Sequence, residues 1–401
     1  EIITKGTDVI AEHGFVYLAM EVRTGKTLTS MGIAERMQMK SMLFITKKKA
    51  ISSIEGDYQM YGPSFDIQVI NYESLHKIEG TFDIIVLDEA HGMGAFPKPS
   101  KRSKQVKILI QKNDPLVILL SGTPTPESYS QMYHQVYGIP KNPFREFTNF
   151  YKFAHKHINI TIKPINGMQI RDYSHGLPTI MEAMKPYMIA YSQKEAGFKT
   201  QTKETVLKVH MEDITYEHAH ELLENRIIEY YDDDVILADT PVKLMMKLHQ
   251  IYSGTVKFEE GKSIVLDYSK AKFIRNRFNG MKIGIFYKFK AELEALKCVY
   301  GDLLTTEISV FEETNKNIAL QIVSGREGIS LKQAECLVYY NIDFSATSYW
   351  QSRDRMTTKE RLENNVYWIF SVDGIEEDIY KAVINKKDYT LSHFRKNLLN
   401  L

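Results

Sequence analysis

Cysteine is scarce in this chain. Its two residues, Cys298 and Cys336, sit in apolar contexts without metal-ligand spacing. A disulfide framework and a cysteine zinc site are therefore excluded, and buried free thiols in a reducing compartment are expected. Long apolar runs are missing too. The longest, "DIIVL" and "LVILL", have the length of core strands and fall far short of a membrane span. Charge of one sign is not in excess, since 51 basic and 50 acidic residues leave a net charge of +1. That balance excludes coating of nucleic acid by bulk charge but leaves room for a local basic groove. There is no solenoid-period repeat, no low-complexity tract, no nuclease constellation and no signal peptide. Because the first residue is Glu1 rather than methionine, further residues are expected upstream. One absence is local: a phosphate-binding loop reads G-x-x-x-x-G-K-[ST], yet "MEVRTGKTLTS" (20–30) has Met20 at the first glycine position.

What is present is ordinary globular material, 401 residues with 43% hydrophobic and 25% charged content, enough for two or three domains. The first part alternates short apolar runs with helical pattern: "FVYLAM" (15–20), "SMLFIT" (41–46), "DIQVIN" (66–71), "FDIIVLD" (82–88) and "LVILLSG" (116–122). Runs of this kind are buried on both faces, as in a parallel sheet with crossover helices. A second series follows in "KIGIFY" (282–287), "IALQIVS" (318–324), "CLVYYN" (336–341) and "NVYWIFS" (365–371). The intervening stretch is aromatic and basic, then helical in "YEHAHELLENRIIEYY" and "PVKLMMKLHQIYSG". The expected organisation is an α/β domain over 1–145, a helical insertion or connector over 146–258, and a second α/β domain over 259–401.

Chemistry gathers at the strand ends. Gly25, Lys26 and Thr27 follow the first strand, where a turn opening a helix aims backbone N–H groups at an anion. Lys26 then reaches the β- and γ-phosphates, and the Thr27 hydroxyl ligates Mg²⁺. "IIVLDEAH" sets Asp88 and Glu89 at the end of another buried strand, Asp88 for the Mg²⁺ shell and Glu89 to polarise the attacking water. "LLSGTPTPE" leaves a third strand in a hydroxyl-lined turn containing Ser121 and Thr123.

The order GKT, DEAH, SGTP resembles that of superfamily 2 helicases and translocases. The C-terminal half narrows the likeness to the Swi/Snf-type branch. There "IGIFYKFKAELEAL", "QIVSGREGISL", "LVYYNIDFSATSYWQSRDR" and "VYWIFSVDGIEEDIYKAVINKK" are similar to the branch's later motifs. "PYMIAYSQKEAG" and "KLHQIYSG" resemble weaker segments between the halves. The likeness spans nearly the whole chain, and its compactness is most similar to phage-encoded members. It implies two RecA-like domains with parallel sheets, with ATP and Mg²⁺ bound in the cleft between them. In this branch the first loop glycine is commonly replaced, so Met20 leaves the loop functional.

Carried over by position, the resemblance implies an ATP site of Thr24, Gly25, Lys26, Thr27, Gly328 and Arg355, with Glu89, Lys26 and Arg355 catalytic. Thr27 and Asp88 hold the metal, and His91, Ser121, Thr123 and Gln351 couple the parts. "FITKKK" (44–49), "INYESL" (70–75) and the fifth motif imply DNA contacts at Thr46, Lys47, Asn71, Tyr72 and Ser324, made to phosphates without reading sequence. Lys47, Lys48 and Lys49 read equally well as a solvated face. The run "KPSKRSKQVK" (98–107) reads as a basic loop, either over DNA or merely solvated. Two departures stand out. Thr358 occupies the position of the usual second arginine, with Arg353, Lys359 and Arg361 nearby to substitute. The adenine-reading glutamine segment is absent and is expected before Glu1. The implied function is a DNA-stimulated ATPase, a helicase or branch-migration motor of phage replication and recombination. It would act on single-stranded, forked or branched DNA in the host-cell cytoplasm, away from membranes, alongside replication or recombination proteins. Two alternatives stay open: a duplex translocase without strand separation, and an ATP-gated DNA-binding subunit of a restriction or defence complex.

Overall fold

The computed structural model describes residues 1–385 except 166–167, 231–233, 326–328 and 354, and at 113, 163–165, 168, 324–325, 347 and 350–351 it describes the backbone alone. The chain divides into two compact units, Glu1–Phe198 and Lys199–Leu401.

The first unit is built on a six-stranded parallel sheet. Its apolar runs become β1 (Phe15–Met20), β2 (Ser41–Thr46), β3 (Asp66–Asn71), β4 (Ile84–Leu87) and β5 (Leu116–Leu120). An antiparallel hairpin follows, β6 (Thr161–Ile165) with β7 (Met168–Asp172), and then β8 (Met188–Tyr191). The sheet order is β3-β2-β4-β5-β1-β8. Alternate strand residues serve opposite faces. Val16, Leu18 and Met20 pack with Ile10, Met31 and Ile54 from the helices Ile2–His13, Lys26–Arg36 and Ile51–Tyr61. Phe15, Tyr17 and Leu119 pack with Val106, Ile110, Met132 and an aromatic group around Phe150 and Phe153. Continuous burial explains why β1, β2, β4 and β5 are apolar throughout rather than alternating. By contrast β3, expected to be buried on both faces, is an edge strand with Asp66 and Gln68 exposed.

The second unit has its own six-stranded parallel sheet. After β9 (Gln201–Val209) come the small antiparallel pairs β10 (Ile227–Glu229) with β11 (Val235–Leu237), and β12 (Thr255–Lys257) with β13 (Ser263–Val265). Then follow β14 (Ile283–Tyr287), β15 (Leu304–Thr305), β16 (Asn317–Gln321), β17 (Cys336–Tyr339) and β18 (Glu363–Ser371). The order is β15-β16-β14-β17-β18-β9, with β9 paired in register to β18 from Gln201↔Glu363 to Val209↔Ser371. Two parallel α/β sheets of this kind are the expected fold class.

Several details differ from the sequence reading. The division between units falls inside the stretch expected to be a connector, because β8 joins the first sheet and β9 the second. The two helices expected there do form, as Asp213–Asn225 and Pro241–Tyr252. "IALQIVS" stops being a strand at Gln321 and turns helical over Ile322–Gly325. The basic run 98–107 is not a loop throughout, since the Ser100 side chain accepts from the Ser103 amide and caps the helix Lys101–Asn113. Of the cysteines only Cys336 is buried, which pushes its thiol up to about 12, whereas Cys298 is exposed.

Candidate active site

In parallel α/β sheets ligands sit beyond the carboxyl ends of the strands. The ends of β1, β2, β3, β4 and β5 lead here into Glu21, Lys47, Tyr72, Asp88 and Ser121. The loop after β1 turns through left-handed backbone at Arg23 (φ 62°) and Gly25 (φ 87°) and opens the helix Lys26–Arg36, which no side chain caps. Thr24 Oγ1 donates to the Glu21 carbonyl at 2.7 Å and tightens the turn. Met20 needs no glycine's freedom, because it ends an extended strand and buries its side chain in the core. Only its carbonyl faces the loop, accepting from Lys26 Nζ at 3.0 Å, and Lys26 also donates to the Glu21 carbonyl at 3.1 Å.

Asp88 is half-buried, and desolvation pushes its carboxyl up to about 6; Glu89 adds to the rise, while Thr46 and Lys26 oppose it. Thr46 Oγ1 donates to Asp88 Oδ2 at 2.7 Å. Thr46 is wholly buried, so it supports the acidic pair and does not present a surface to DNA. Glu89 stands in left-handed backbone at φ 49° and ψ 47°, an uncommon conformation for a residue with a Cβ. His91 Nδ1 lies 2.9 Å from Ser121 Oγ and 3.2 Å from Glu89 Oε2. Ser121 Oγ accepts from the Thr123 amide at 3.1 Å. Glu89, His91, Ser121 and Thr123, distant in sequence, thus form one chain of contacts. Thr123 Oγ1 is buried without a hydrogen-bond partner among the described residues.

These groups fit Mg²⁺ and a polyphosphate. A carboxylate and a hydroxyl are hard oxygen donors, suited to a magnesium ion that takes its remaining ligands from phosphate and water. Lys26 and the helix that begins with it suit the phosphate itself. No cluster of three or more His, Cys, Asp or Glu side chains able to hold a metal by itself occurs among the described residues.

Sequence reasoning missed Tyr17 and Gln135. Tyr17 is fully buried on β1 and donates to Gln135 Oε1 at 2.7 Å, and Gln135 Nε2 donates to the Pro124 carbonyl at 2.8 Å. The available signal was a tyrosine hydroxyl inside an otherwise apolar strand, because a buried phenol needs a partner. Asn71 is half-buried and donates to Glu73 at 2.9 Å, and Lys47 is half-buried.

In the second unit, Arg355 is tied to the segment before β17. Its Nη1 donates to the Ile329 carbonyl at 3.4 Å, and its own carbonyl accepts from the Leu331 amide. Two of the three proposed substitutes for the missing arginine, Arg353 and Arg361, have other partners. Arg353 Nη1 pairs with Glu204 Oε1 at 2.8 Å, and Arg361 donates to the carbonyls of Lys332, Ala334, Glu335 and Glu363. Gly328 lies outside the described residues, as do the side chains of Ser324 and Gln351.

Among solved structures, the chain is similar to the Sulfolobus solfataricus SWI2/SNF2 ATPase core in complex with dsDNA, at 15% identity over 96% of this chain and 89% of that one, with a TM-score of 0.42. It is also similar to the SWI2/SNF2 ATPase core domain of that organism, at 16% identity over 96% and 87%, with a TM-score of 0.42. No curated protein matches the sequence. Residues 20–257, more than half of the chain, match the family described as SNF2-related domain, and the chain belongs to that family.

Proposed function

We propose that this chain is a DNA-dependent ATPase whose hydrolysis drives translocation, acting as a helicase or branch-migration motor in phage DNA replication or recombination. Family membership supports the coarser part of this reading, an ATPase acting on DNA. The observation that carries hydrolysis is the contact chain Glu89–His91–Ser121, which joins an acidic pair to a second strand-end turn. A site that only held nucleotide would have no need of it.

In this reading Lys26 exchanges its loop carbonyls for the β- and γ-phosphates, and Thr27 with Asp88 would hold Mg²⁺. The ion neutralises charge on the phosphates when bound. Glu89 orients the attacking water and takes its proton, while His91 reports the state of that carboxylate to the Ser121 turn. Arg355 supplies further positive charge in the transition state. DNA contacts at the ends of β2 and β3 go to phosphates, so affinity is expected to be steeply salt-dependent and independent of sequence. No helix among the described residues is long and apolar enough to cross a membrane. The proposed setting is the host cytoplasm.

The test is ATP turnover without nucleic acid and with single-stranded, duplex, forked and four-way DNA, followed by strand displacement on the forked substrates. Stimulation by DNA is expected. Turnover indifferent to all of them would defeat the reading, and stimulation without displacement would identify a translocase.

A further inference from the structure

The end of β3 reaches the acidic turn through a side chain. Tyr72 is 1% exposed, and its hydroxyl donates to the backbone carbonyl of Asp88 at 2.7 Å. That carbonyl belongs to the peptide leading into Glu89, whose left-handed backbone depends on its neighbours to hold it. The orientation of this peptide decides where the Glu89 carboxylate points.

Arg102, in the first turn of the helix Lys101–Asn113, lies over the Tyr72 ring with its guanidinium carbon 4.6 Å from the centroid. It also pairs with Glu73 Oε1 at 2.7 Å, and Asn71 holds the other oxygen of Glu73 at 2.9 Å. On its other side it meets the loop that bears His91, where a Cβ at Gly92 would come 3.0 Å from Arg102 Nη1. One guanidinium thus touches the β3 end, the tyrosine and the acidic loop.

The ion pair is poised for exchange. The Glu73 side chain is 62% exposed and that of Arg102 28% exposed. An exposed carboxylate pair contributes little, whereas a guanidinium binds phosphate through two parallel hydrogen bonds. A backbone phosphate arriving at Asn71 competes directly with Glu73 for Arg102.

We infer that Arg102 is a nucleic-acid phosphate contact, and that its transfer from Glu73 to phosphate is passed through Tyr72 to the Asp88–Glu89 peptide. Tyr72 is then a positioning residue for hydrolysis rather than a DNA contact itself. The inference rests on the DNA-dependent ATPase reading above.

The experiment measures ATP turnover against duplex DNA concentration at several salt concentrations, for the wild type, Tyr72→Phe, Arg102→Ala, Arg102→Lys and the double variant Tyr72→Phe/Arg102→Ala. Tyr72→Phe removes one hydroxyl and is expected to lower the DNA-saturated rate roughly three- to tenfold. Its half-stimulating DNA concentration should stay within about twofold of wild type. Arg102→Ala should raise that concentration and reduce the salt slope by about one. Arg102→Lys should restore the slope but not the full rate. The rate losses in the double variant should be less than multiplicative. An unchanged salt slope in Arg102→Ala, or fully multiplicative losses, overturns the inference. If the wild type is stimulated by DNA and all variants match it, the inference alone fails. If the wild type itself is not stimulated, the ATPase reading fails and takes the inference with it.

Discussion

Lys26 and Glu89 separate binding from chemistry. Lys26→Ala removes the charge proposed to meet the β- and γ-phosphates and should weaken ATP binding and abolish turnover. Glu89→Gln keeps the shape but not the base, so nucleotide affinity should persist while turnover falls by about 10²-fold or more. Equilibrium nucleotide binding beside steady-state turnover distinguishes them, and a Glu89→Gln protein at wild-type rate would remove Glu89 from the mechanism. His134 offers a pH test on the helix beside the His91 turn. Its Nδ1 donates to the Ala95 carbonyl, and burial lowers its pKa from the ordinary 6.5 to about 4. A depressed histidine favours the neutral form in the fold. Its contribution is therefore complete above pH 6.5 and disappears as pH falls through about 4. Over that window it amounts to about 3 kcal/mol. His134→Gln should flatten this part of the stability profile, read as thermal midpoint against pH.

Glu204 shows what a strand can carry without advertising it. On β9 it accepts from Tyr349, Arg353, Trp368 and Tyr380, which come from three other segments. Glu204→Ala removes the shared acceptor beside a partly buried guanidinium and should cost about 3–5 kcal/mol in denaturant unfolding. Nothing local in "QTKETVLKV" marks that duty, because it exists only once β9 lies parallel to β18. The same limit explains what was legible and what was not. β1, β2, β4, β5 and β14 were readable because double-sided burial leaves an unbroken apolar run. β8 and β9 were not, being short or half-exposed edge strands whose membership is decided by distant partners. The phosphate loop and acidic pair stood out through their spacing from strand ends. The work of Thr46 and Tyr72 depends on hydrogen bonds to Asp88, 42 and 16 residues away, and no pattern of residue types announces these.

For the molecule as a whole, the proposed arginine chemistry should fall to one residue. Arg361 spends its guanidinium on four backbone carbonyls around the start of β17, so it acts as a staple. Arg361→Ala should lower stability by roughly 2–4 kcal/mol, with a proportionately small loss of rate in the folded fraction. Arg355→Ala should do the reverse, leaving unfolding and nucleotide affinity near wild type while DNA-stimulated turnover drops by ~10³-fold. Unfolding curves set beside turnover for both variants decide the matter. A larger catalytic loss at Arg361 would mean that the register of this motif is misplaced, and the substitution at Thr358 would need another compensation.

The two carbonyls that hold Lys26 also determine how the phosphate loop behaves before any nucleotide arrives. The ammonium acts as an internal strut for a segment that turns through left-handed backbone, so the loop is preorganised rather than collapsed. Nucleotide capture is then a displacement, in which two neutral acceptors are surrendered for charged ones. Part of the interaction enthalpy cancels, and little ordering entropy is left to lose. Removing the strut should loosen the loop in the free protein. Amide hydrogen exchange over residues 21–25 in Lys26→Ala, measured without nucleotide, should therefore run faster than in wild type, while β1 itself stays protected.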